Sequence, residues 1–473
     1  MKIANQVEKQ FLFHHIDYEA IAVDDKNLSL EQLDNKFSNN QQVLLRTVLI
    51  RCNDQIELII VPVNELIDFS SLEGIKENTL DIIPLAECAN FYPSCDIGIV
   101  PPISSKEISR THIANSIKNF SAVVFETGKA NDLVSLSTSD FYKLHENALK
   151  VDITTPAKDL VFNEINDTES KKLKQKFTPD NDKKNNLQRL YKLPPIPDIA
   201  TKVIQLKNTP SADAKSLANL IEKDPSLTAQ VIRYSKSAFF NYQGEITSVQ
   251  EAISRVLGFD LVMNMALGLS AGKSLKNPPD GPLGLNEFWK HAVYSAVLAQ
   301  RLSQKVPPDI RPNSNLAYLS GLLHNFGFLL LGHLFQPEFF LLNKLYAANL
   351  KCSIVAIEKH ALGMGAGQNA INMGHAELGS WLLDNWQIPK EVIVETKEHH
   401  NHGYSGEHAN YASLIALVDS ALGIHGIGDN RNEYLNTKFC KALKISPDVV
   451  LDELKKIMNE HEQLESIAKQ FAA

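Results

Sequence analysis

The spacing of apolar residues changes along the chain, from a mixture of strand and helix patterns to a helical period almost throughout. Residues 43–51 (VLLRTVLIR) and 56–63 (IELIIVPV) are rich in β-branched residues and flank a turn-like Asn-Asp pair, which predicts a β-hairpin. Residues 121–128 (SAVVFETG) predict another strand, and residues 29–37 (SLEQLDNKF) carry apolar residues at helical spacing. The first third of the chain is therefore predicted to be an α+β domain.

The pattern from Leu193 to the end is helical, and residues 246–260 (ITSVQEAISRVLGFD) illustrate it. Thr247 is predicted to be the N-cap, with Gln250 completing a capping box, and Gly258 is predicted to end the helix where φ becomes positive. The expected apolar stripe consists of Val249, Ile253, Val256 and Leu257. Repetition of this pattern predicts an all-helical bundle.

The composition between these two parts differs from both. Lys, Asn and Asp dominate residues 164–192, which contain few large apolar side chains and are typical of a linker; a docking patch for an acidic partner is the alternative. The predicted organisation is an α+β domain at 1–155, a charged linker at 156–192, a helical domain at 193–425 and a helical extension at 426–473 that packs on the bundle.

Composition and charge narrow the classes of function. With 473 residues, 44% of them hydrophobic and 22% charged, the chain has the balance of a globular protein of two or three domains. The net charge of −8 argues against a general nucleic-acid binder. Five widely spaced cysteines form no CxxC pair, and neither a signal peptide nor a membrane span is apparent. We therefore expect a cytoplasmic protein with reduced thiols and no membrane partner.

Six residues in the helical part have the chemistry of metal ligands. They are His291, His324, His375, the pair His399-His400, and Asp419. Each lies within or at the edge of a predicted amphipathic helix, so a bundle can bring them to one pocket. Imidazole and carboxylate groups are ligands for a hard or borderline cation that keeps an open position for water. The alternative is that these are ordinary buried histidines, hydrogen-bonded in the core or at helix caps.

The order of these residues resembles the HD superfamily of metal-dependent phosphohydrolases, in which a histidine, a His-Asp pair and a distant Asp hold one or two metal ions. The His-Asp pair is His324-Asn325 here, and Phe328 stands where the phosphodiesterase branch often has lysine. A neutral amide is a much poorer bridging ligand than a carboxylate and cannot balance two divalent charges. The substitution favours a pocket around Asn325 that is structural or senses a ligand, with residual divalent-metal binding as an alternative and no other cofactor.

Residues 193 to about 425 resemble, more specifically, the HDOD family of bacterial signalling modules. The resemblance is carried by LPPIPDIATKVIQL (193–206), LANLIEKDPSLTAQVIRYSKSAFF (217–240), the 246–260 segment, GLLHNFG, GHAELGSWLLDNWQIP and the two adjacent histidines. Lys236 stands where the family usually has Asn, and Ser237-Ala238 are kept. Membership implies an HD-like helical bundle that is generally non-catalytic and relays signals through protein contacts.

The N-terminal part resembles YbaK-like aminoacyl-tRNA deacylase domains through three segments: 44–51, 96–104 (DIGIVPPIS) and 125–144 (FETGKANDLVSLSTSDFYKL). Editing members place a lysine close to the ester, and Arg46 stands at that position here as the candidate catalytic residue. Arginine keeps the charge but not the compact ammonium geometry. The alternative for Arg46 is an exposed strand residue. The resemblance further implies a pocket shaped by Gly98, Pro101 and Pro102, or otherwise a simple turn.

Three functions follow from these resemblances. The first is a non-enzymatic signal-transduction regulator that binds regulatory proteins, or a small ligand in the HD-like pocket. The second is a trans-editing aminoacyl-tRNA deacylase, for which the acidic net charge makes tRNA a less natural partner. The third is a surviving metal-dependent phosphohydrolase. Asn325 and Arg46 both depart from the catalytic patterns, so the sequence favours the regulator.

Overall fold

The computed structural model describes residues 2–21, 29–52, 55–72, 80–96, 99–130, 132–160, 193–207, 209–236, 240, 242–350, 352–361, 363–429 and 434–472. The chain divides into two compact units. The first comprises Met1–Lys192, Leu334–Asn349 and Ala356–Asn372, and the second comprises Leu193–His333, Leu350–Val355 and Met373–Ala473. Two stretches from the later half of the chain thus belong to the first unit. The predicted linker covers residues 156–192. Of these, residues 161–192 lie outside the described ranges.

The strands described in the first unit are β1 (Glu19–Ile21), β2 (Gln42–Cys52), β3 (Gln55–Pro62), β4 (Glu65–Ile67), β5 (Leu80–Ile82), β6 (Ile108–Ala114), β7 (Ala122–Glu126), β8 (Leu133–Ser137), β9 (Leu149–Val151) and β10 (Thr154–Pro156). Among these described strands, eight form a sheet in the order β1-β8-β7-β2-β3-β6-β9, with β5 also paired to β2. β10 pairs with β4 separately. The sheet is mixed, because β2 is antiparallel to β3 and parallel to β7.

The hairpin predicted around residues 43–63 is confirmed. β2 and β3 pair in antiparallel register from Leu45 opposite Pro62 to Cys52 opposite Gln55, while the Asn-Asp turn lies outside the described residues. Most side chains of both strands are buried, as expected for central strands covered on both faces. The strand predicted at 121–128 is β7.

The helices follow the predicted division. Those in the first 160 residues are α1 (Asn5–Phe13), α2 (Leu30–Ser38), α3 (Leu85–Cys88) and α4 (Thr138–Leu144). From residue 198 onward they are α5 (Asp198–Lys207), α6 (Ala214–Ile221), α7 (Pro225–Ser235), α8 (Val249–Glu251), α9 (Phe259–Lys273), α10 (Leu285–Ser303), α11 (Ser314–Leu323), α12 (Phe326–Leu334), α13 (Gln336–Ala348), α14 (Ile354–His360), α15 (Gln368–Met373), α16 (His375–Asn385), α17 (Lys390–Glu398), α18 (Ala409–Gly423), α19 (Thr437–Ala442), α20 (Pro447–Asn459) and α21 (His461–Ala472).

Two helix starts compare directly with the sequence pattern. α2 begins after Ser29, whose hydroxyl accepts from the Gln32 backbone N–H while the Gln32 side chain bonds back to Ser29, a complete capping box. At α8 the prediction was wrong by one residue. Ser248, not Thr247, is the N-cap, and the Glu251 carboxylate accepts from the Thr247 backbone N–H at 3.0 Å. The predicted and the observed N-cap are adjacent residues, and the hydroxyl of either Thr or Ser can accept a hydrogen bond from the first turn of a helix.

The end of that segment agrees with the prediction. α8 continues as a π-helix over Ala252–Leu257, and the helical segment stops at Gly258, whose φ is +80°. Only glycine adopts this conformation without a steric penalty. The wider π-helical turn shifts the side-chain register, which accounts for Val256 being only half-buried while Ile253 is buried.

The core of the second unit is built around α10, which packs against α11 and α18. Gly321 on α11 allows close approach, since a Cβ added there would lie 2.6 Å from the backbone of Ser295 and Ala296 on α10. The final helices, α20 and α21, also pack against α10. Among the described residues, no helix combines the length and apolarity needed to cross a membrane. This packing fixes α10 and α11, and both carry candidate site residues.

Candidate functional site

The second unit brings all six predicted ligand residues into one region. His291 lies on α10, His324 directly follows α11, and Asp419 lies on α18. His375 is the first residue of α16, and His399 and His400 follow the last residue of α17. The six side chains divide into two clusters, and within each cluster the possible ligand atoms lie within 4.8 Å of one another.

The first cluster consists of His291, His324 and Asp419, all buried. The Nε2 atoms of His291 and His324 lie 3.1 Å and 3.5 Å from Oδ1 of Asp419. The rings of the two histidines meet edge to face at a centroid distance of 4.8 Å. This cluster is the set that the HD resemblance implies, apart from the carboxylate of the His-Asp pair.

The second cluster consists of His375, His399, His400 and Asp429. The Nε2 atoms of His375 and His400 are 3.1 Å apart, and each lies 3.6 Å from Oδ2 of Asp429. Asp429 is 2% exposed and was not predicted from the sequence. It follows Gly428, and a carboxylate directly after a glycine-rich helix end (GIHGIGD) is the only signal that pointed to it.

Gly428 explains how this carboxylate reaches the interior. Its φ is +103°, and a Cβ added to it would lie 2.6 Å from Nε2 of His291. The backbone therefore passes against the His291 ring, where no side chain fits. This close approach brings Asp429 to the histidines of the second cluster.

Two histidines are held in the tautomer that a metal ligand requires. Nδ1 of His324 donates to the Gly321 carbonyl and Nδ1 of His399 donates to the Thr396 carbonyl, each at 2.8 Å. The Nε2 atom of each ring is then a lone-pair acceptor. Within the described part of the chain, neither Nε2 atom has a hydrogen-bond partner. Histidine ligands in metalloproteins are oriented in this way by hydrogen bonds from the second ring nitrogen.

Two buried carboxylate oxygens also lack a hydrogen-bond partner within the described ranges. Oδ2 of Asp419 and Oδ1 of Asp429 have no hydrogen-bond partner among the described residues. An unpaired buried acceptor costs about 1–3 kcal/mol, more if charged. The acceptors in the two clusters therefore fit a divalent cation chemically, because a cation satisfies several of them at once.

Asn325 occupies the position between the clusters that a carboxylate holds in the HD pattern. Its Nδ2 donates to Oδ2 of Asp429 at 2.9 Å and to Nδ1 of His291 at 3.2 Å. Its Oδ1 finds no hydrogen-bond partner in the described residues. The orientation follows from the neighbours, since a reversed amide would direct its oxygen at the Asp429 carboxylate. Asn325 thus acts as a donor where a bridging ligand would be an acceptor.

The electrostatics of the region keep the two oriented histidines neutral. Burial lowers the pKa of His324 to about 4. Burial and the neighbouring His400 place the pKa of His399 well below its usual value. Burial alone would raise the pKa of Asp429, but its hydrogen bond to His400 outweighs that effect and leaves the pKa well below normal. Neutral imidazoles and an ionised carboxylate are the states that bind metals.

Apolar packing replaces the family's lysine at Phe328. Its ring stacks on that of His375 at a centroid distance of 4.0 Å and an interplanar angle of 15°. A cavity of about 20 Å³ lies beside His291, Asn325, Phe328 and Asp429. A larger cavity of about 410 Å³ is lined by residues including His400, His402, Ser420, Asp429 and Asn436. A small ligand therefore has more room on the His400 side than beside Asn325.

The N-terminal candidate residue, Arg46, lies in the first unit and is deeply buried. Nη1 donates to the Met364 carbonyl at 2.8 Å, and Nη2 donates to the Glu65 carbonyl at 2.7 Å and the Gly363 carbonyl at 3.2 Å. Burial lowers its pKa to about 10, opposed by the charges of Glu338 and Glu65. The alternative of an exposed strand residue is wrong, because the guanidinium holds a loop from the later half of the chain.

That loop fills the space around Arg46. The Gly367 backbone N–H donates to Glu338 at 3.0 Å, and the Ile67 backbone N–H donates to the Gly363 carbonyl at 3.1 Å. A Cβ added to Gly365 would lie 2.9 Å from Nη1 of Arg46 and 3.0 Å from Oε1 of Glu338. Glycine at 365 therefore lets the backbone contact both charged groups.

The structure describes two of the three residues that were predicted to shape a pocket in this unit. Gly98 lies outside the described residues. Pro101 and Pro102 are buried, and the Pro102 carbonyl accepts from Nε2 of His145 at 2.9 Å. The Val100 carbonyl accepts from the Thr47 hydroxyl on β2. This segment is thereby fixed to β2, the strand that carries Arg46.

Comparison with known proteins agrees with this fold. Residues 193–402 match the family model of the HDOD domain, so the chain carries an HDOD domain there. A protein of known structure from Marinobacter aquaeolei VT8, named as a candidate signal transduction protein, is 26% identical with a TM-score of 0.52 and is matched over 99% of each chain. Both parts of this architecture thus occur together in a second protein.

Two further similarities are more limited. An uncharacterised protein of Treponema pallidum (strain Nichols) is 24% identical over 226 residues, which are 47% of this chain and 40% of that protein. The chain therefore spans about two fifths of the length of this relative. A candidate trans-editing enzyme for prolyl-tRNA synthetase matches the N-terminal region, with 13% identity and a TM-score of 0.28 over 32% of this chain and 96% of that one. The predicted α+β domain followed by a helical HDOD bundle is confirmed as the fold class.

Proposed function

We propose that the chain is a non-catalytic cytoplasmic regulator of a bacterial signalling pathway that acts through binding of a regulatory protein or a small ligand by its HDOD domain. The observation that carries this proposal is the environment of Asn325. Its amide donates to His291 and Asp429 and supplies no anionic oxygen to hold two cations. Two-metal phosphoester hydrolysis requires such a bridge to position the hydroxide and the phosphate.

The environment of Arg46 supports a binding role for the N-terminal part. The guanidinium donates to three backbone carbonyls and is buried, so its charge faces the protein instead of an incoming ester. Deacylation by a residue of this kind needs a positive charge next to the substrate carbonyl. We therefore assign this part as an input or docking domain, and aminoacyl-tRNA deacylation is the weaker alternative.

Metal-dependent phosphohydrolysis is the second candidate, and the two histidine-carboxylate clusters favour it. Against it stand Asn325 and the stacking of Phe328 on His375. The apolar ring leaves no cation at the position where the phosphodiesterase branch uses lysine. The clusters are compatible with metal binding without turnover, so the regulator remains the better-supported function.

Affinity purification of the full chain from its own bacterium tests the proposal when combined with assays on the purified protein. We expect a co-purifying protein that rebinds the separately purified chain, and no hydrolysis of phosphodiesters or mischarged prolyl-tRNA above the protein-free rate. Turnover that is abolished by His324→Gln or Arg46→Met would contradict the proposal.

A further inference from the structure

We infer that the first unit contains a binding site for a short glycine-rich peptide segment, and that the chain's own residues 363–367 (GMGAG) occupy this site and can be displaced from it. The site consists of Arg46 on β2, Ile67 on β4 and Glu338 on α13, and we name it the Arg46 site. These residues and the segment all belong to the first unit. The inference rests on the proposed role of this part as a docking domain and names the segment that is docked.

At its first residues the segment is bound through backbone carbonyls. The Arg46 guanidinium donates to the Met364 carbonyl at 2.8 Å and to the Gly363 carbonyl at 3.2 Å. The Gly363 carbonyl also accepts from the Ile67 backbone N–H at 3.1 Å. Hydrogen bonds to the main chain supply the affinity when a protein binds an extended peptide along an exposed strand. The contacts therefore recognise a peptide by its consecutive carbonyls.

At its last residue the segment is bound through a backbone N–H. The Gly367 N–H donates to Oε1 of Glu338 at 3.0 Å. A cation thus binds the carbonyls at the start of the segment, and a carboxylate binds an amide at its end. Hydrogen bonds with one charged partner are stronger than those between neutral groups. The Arg46 site therefore also selects the direction in which a peptide lies.

Glycine is required at two positions of the segment. A Cβ added to Gly363 would overlap the backbone carbonyl of Ile67, and a Cβ added to Gly365 would lie 2.9 Å from Nη1 of Arg46. The φ angles of these glycines are +83° and +113°, which other residues rarely adopt. The Met364 side chain between them is completely buried. The site therefore fits the sequence Gly-Met-Gly and excludes larger residues at both ends of it.

Two unpaired atoms explain why the segment can be displaced. Nε of Arg46 and Oε2 of Glu338 are buried and have no hydrogen-bond partner in the ranges that the structure describes. A buried charged group that is only partly hydrogen-bonded does not regain all the free energy that it loses on leaving water. An occupant that offers an acceptor to Nε or a donor to Oε2 therefore competes with residues 363–367.

A synthetic peptide tests the inference on the full chain. The probe is an amidated peptide of residues 361–368 (ALGMGAGQ) with fluorescein at its N-terminus, and its binding is measured by fluorescence anisotropy. Gly363→Ala opens the site, because the added Cβ overlaps a backbone atom. We expect this variant to bind the probe at least about tenfold more tightly than the wild type, whose tethered segment competes at an effective concentration on the order of millimolar.

Two controls show whether binding depends on the contacts named above. The double variant Gly363→Ala/Arg46→Met should bind the probe at least about tenfold more weakly than Gly363→Ala, because it lacks the charge-assisted hydrogen bonds. An unlabelled peptide that carries the Gly363→Ala change should not displace the probe, whereas the unlabelled native peptide should displace it.

Two further variants separate opening of the site from loss of structure. Gly426→Ala lies in the second unit, where φ is +68° and an added Cβ meets no atom within 4 Å, and it should bind the probe as weakly as the wild type does. Circular dichroism establishes that each variant is folded. If Gly363→Ala does not fold, Gly365→Ala takes its place, since the nearest atoms to its Cβ are side-chain atoms of Arg46, Glu338 and Val48.

The outcomes decide the inference separately from the proposed function. Folded Gly363→Ala and Gly365→Ala chains that do not bind the probe would overturn it, as would binding that persists without Arg46. Equal binding by the wild type would show that residues 363–367 do not occupy the site, and would also contradict the inference. No substrate enters these measurements, so a failure of the regulatory proposal would be recognised independently by hydrolysis of a phosphodiester or of mischarged tRNA.

Discussion

The side-chain amide of Asn325 donates a 2.9 Å hydrogen bond to Oδ2 of Asp429, which lies 104 residues later in the chain. Both side chains are buried. An aspartate at position 325, as in the HD pattern, would place two carboxylates face to face. The asparagine at position 325 and the buried carboxylate of Asp429 therefore belong to one hydrogen-bonded arrangement.

Replacing Asn325 by Asp should destabilise the metal-free protein. The change removes a buried donor and puts like charges in contact, with an expected loss of about 1–3 kcal/mol in the free energy of unfolding. Urea unfolding in EDTA measures the loss, and added Mn²⁺ or Zn²⁺ should reduce it. Asn219→Asp, at an exposed position on α6, is the control and should change stability by less than about 0.5 kcal/mol. Equal stability of the two variants in EDTA would contradict the account of Asn325.

Replacing Gly428 by Ala should weaken zinc binding about as much as loss of Asp429. The new Cβ would lie 2.6 Å from Nε2 of His291 and would displace the backbone that carries Asp429. Gly426→Ala is a matched control, because its φ of +68° imposes similar strain while a Cβ there meets no atom within 4 Å. Zn²⁺ titration of the EDTA-treated chain, with bound zinc measured by elemental analysis, should show a loss of affinity of about tenfold or more for Gly428→Ala and a smaller loss for Gly426→Ala. Equal losses of zinc affinity in the two variants would show that backbone strain alone causes the loss.

Replacing Arg46 by Lys should loosen the loop at residues 363–367. Lysine cannot reproduce the planar fork that serves the carbonyls of Met364, Gly363 and Glu65. We expect a loss of about 2–4 kcal/mol in the free energy of unfolding, since buried acceptors lose their donors.

Limited proteolysis with mass spectrometry should then locate new cleavage within this loop. Arg51→Lys is the control on the same strand, where the 3.6 Å ion pair with Glu87 is partly exposed. It should change stability by less than about 1 kcal/mol. A loop that remains protected in Arg46→Lys would show that Arg46 does not hold it.

Acidification should destabilise the first unit through His145. Burial lowers the pKa of this side chain to about 4 from its usual value of 6.5, so between these values the unfolded chain binds a proton that the folded chain does not. Its contribution to stability is present above pH 6.5 and is lost as the pH falls toward 4. The shift corresponds to about 3 kcal/mol.

The variant His145→Gln keeps a donor for the Pro102 carbonyl and removes the titration. Urea unfolding between pH 7 and pH 4 should therefore depend less on pH in this variant. His15→Gln, at an exposed position of the same unit, should keep the wild-type slope. Identical slopes in all three proteins would assign the acid sensitivity to other groups.

Local patterns predicted much of the fold and part of the site. The hairpin of β2 and β3 and the helix that contains residues 30–37 depend on neighbours within a few residues, which are visible in the sequence. The six predicted ligand residues do meet in two clusters, and each of them lies on a helix or directly beyond a helix end. Whether they hold metal stays a prediction.

Contacts between distant segments could not be predicted in this way. Arg46 bonds to a loop more than 300 residues later, and no periodicity of either segment encodes that pairing. Asp429 reaches the centre because glycine at 428 lets the backbone pass beside His291, a fact of tertiary packing. Thr247 and Ser248 are both acceptable caps by residue type, and the structure uses Ser248, which accepts from the Glu251 backbone N–H.

The central claim is that the HD-like centre binds without hydrolysing, and its most direct test is turnover by the purified full chain. The chain is loaded in turn with Zn²⁺, Mn²⁺ and Fe²⁺ and assayed at high enzyme concentration against linear and cyclic phosphodiesters, beside Asn325→Asp and His324→Gln. The account predicts rates for the wild type that equal those of His324→Gln with every metal. A metal-dependent rate in the wild type that His324→Gln abolishes would contradict it.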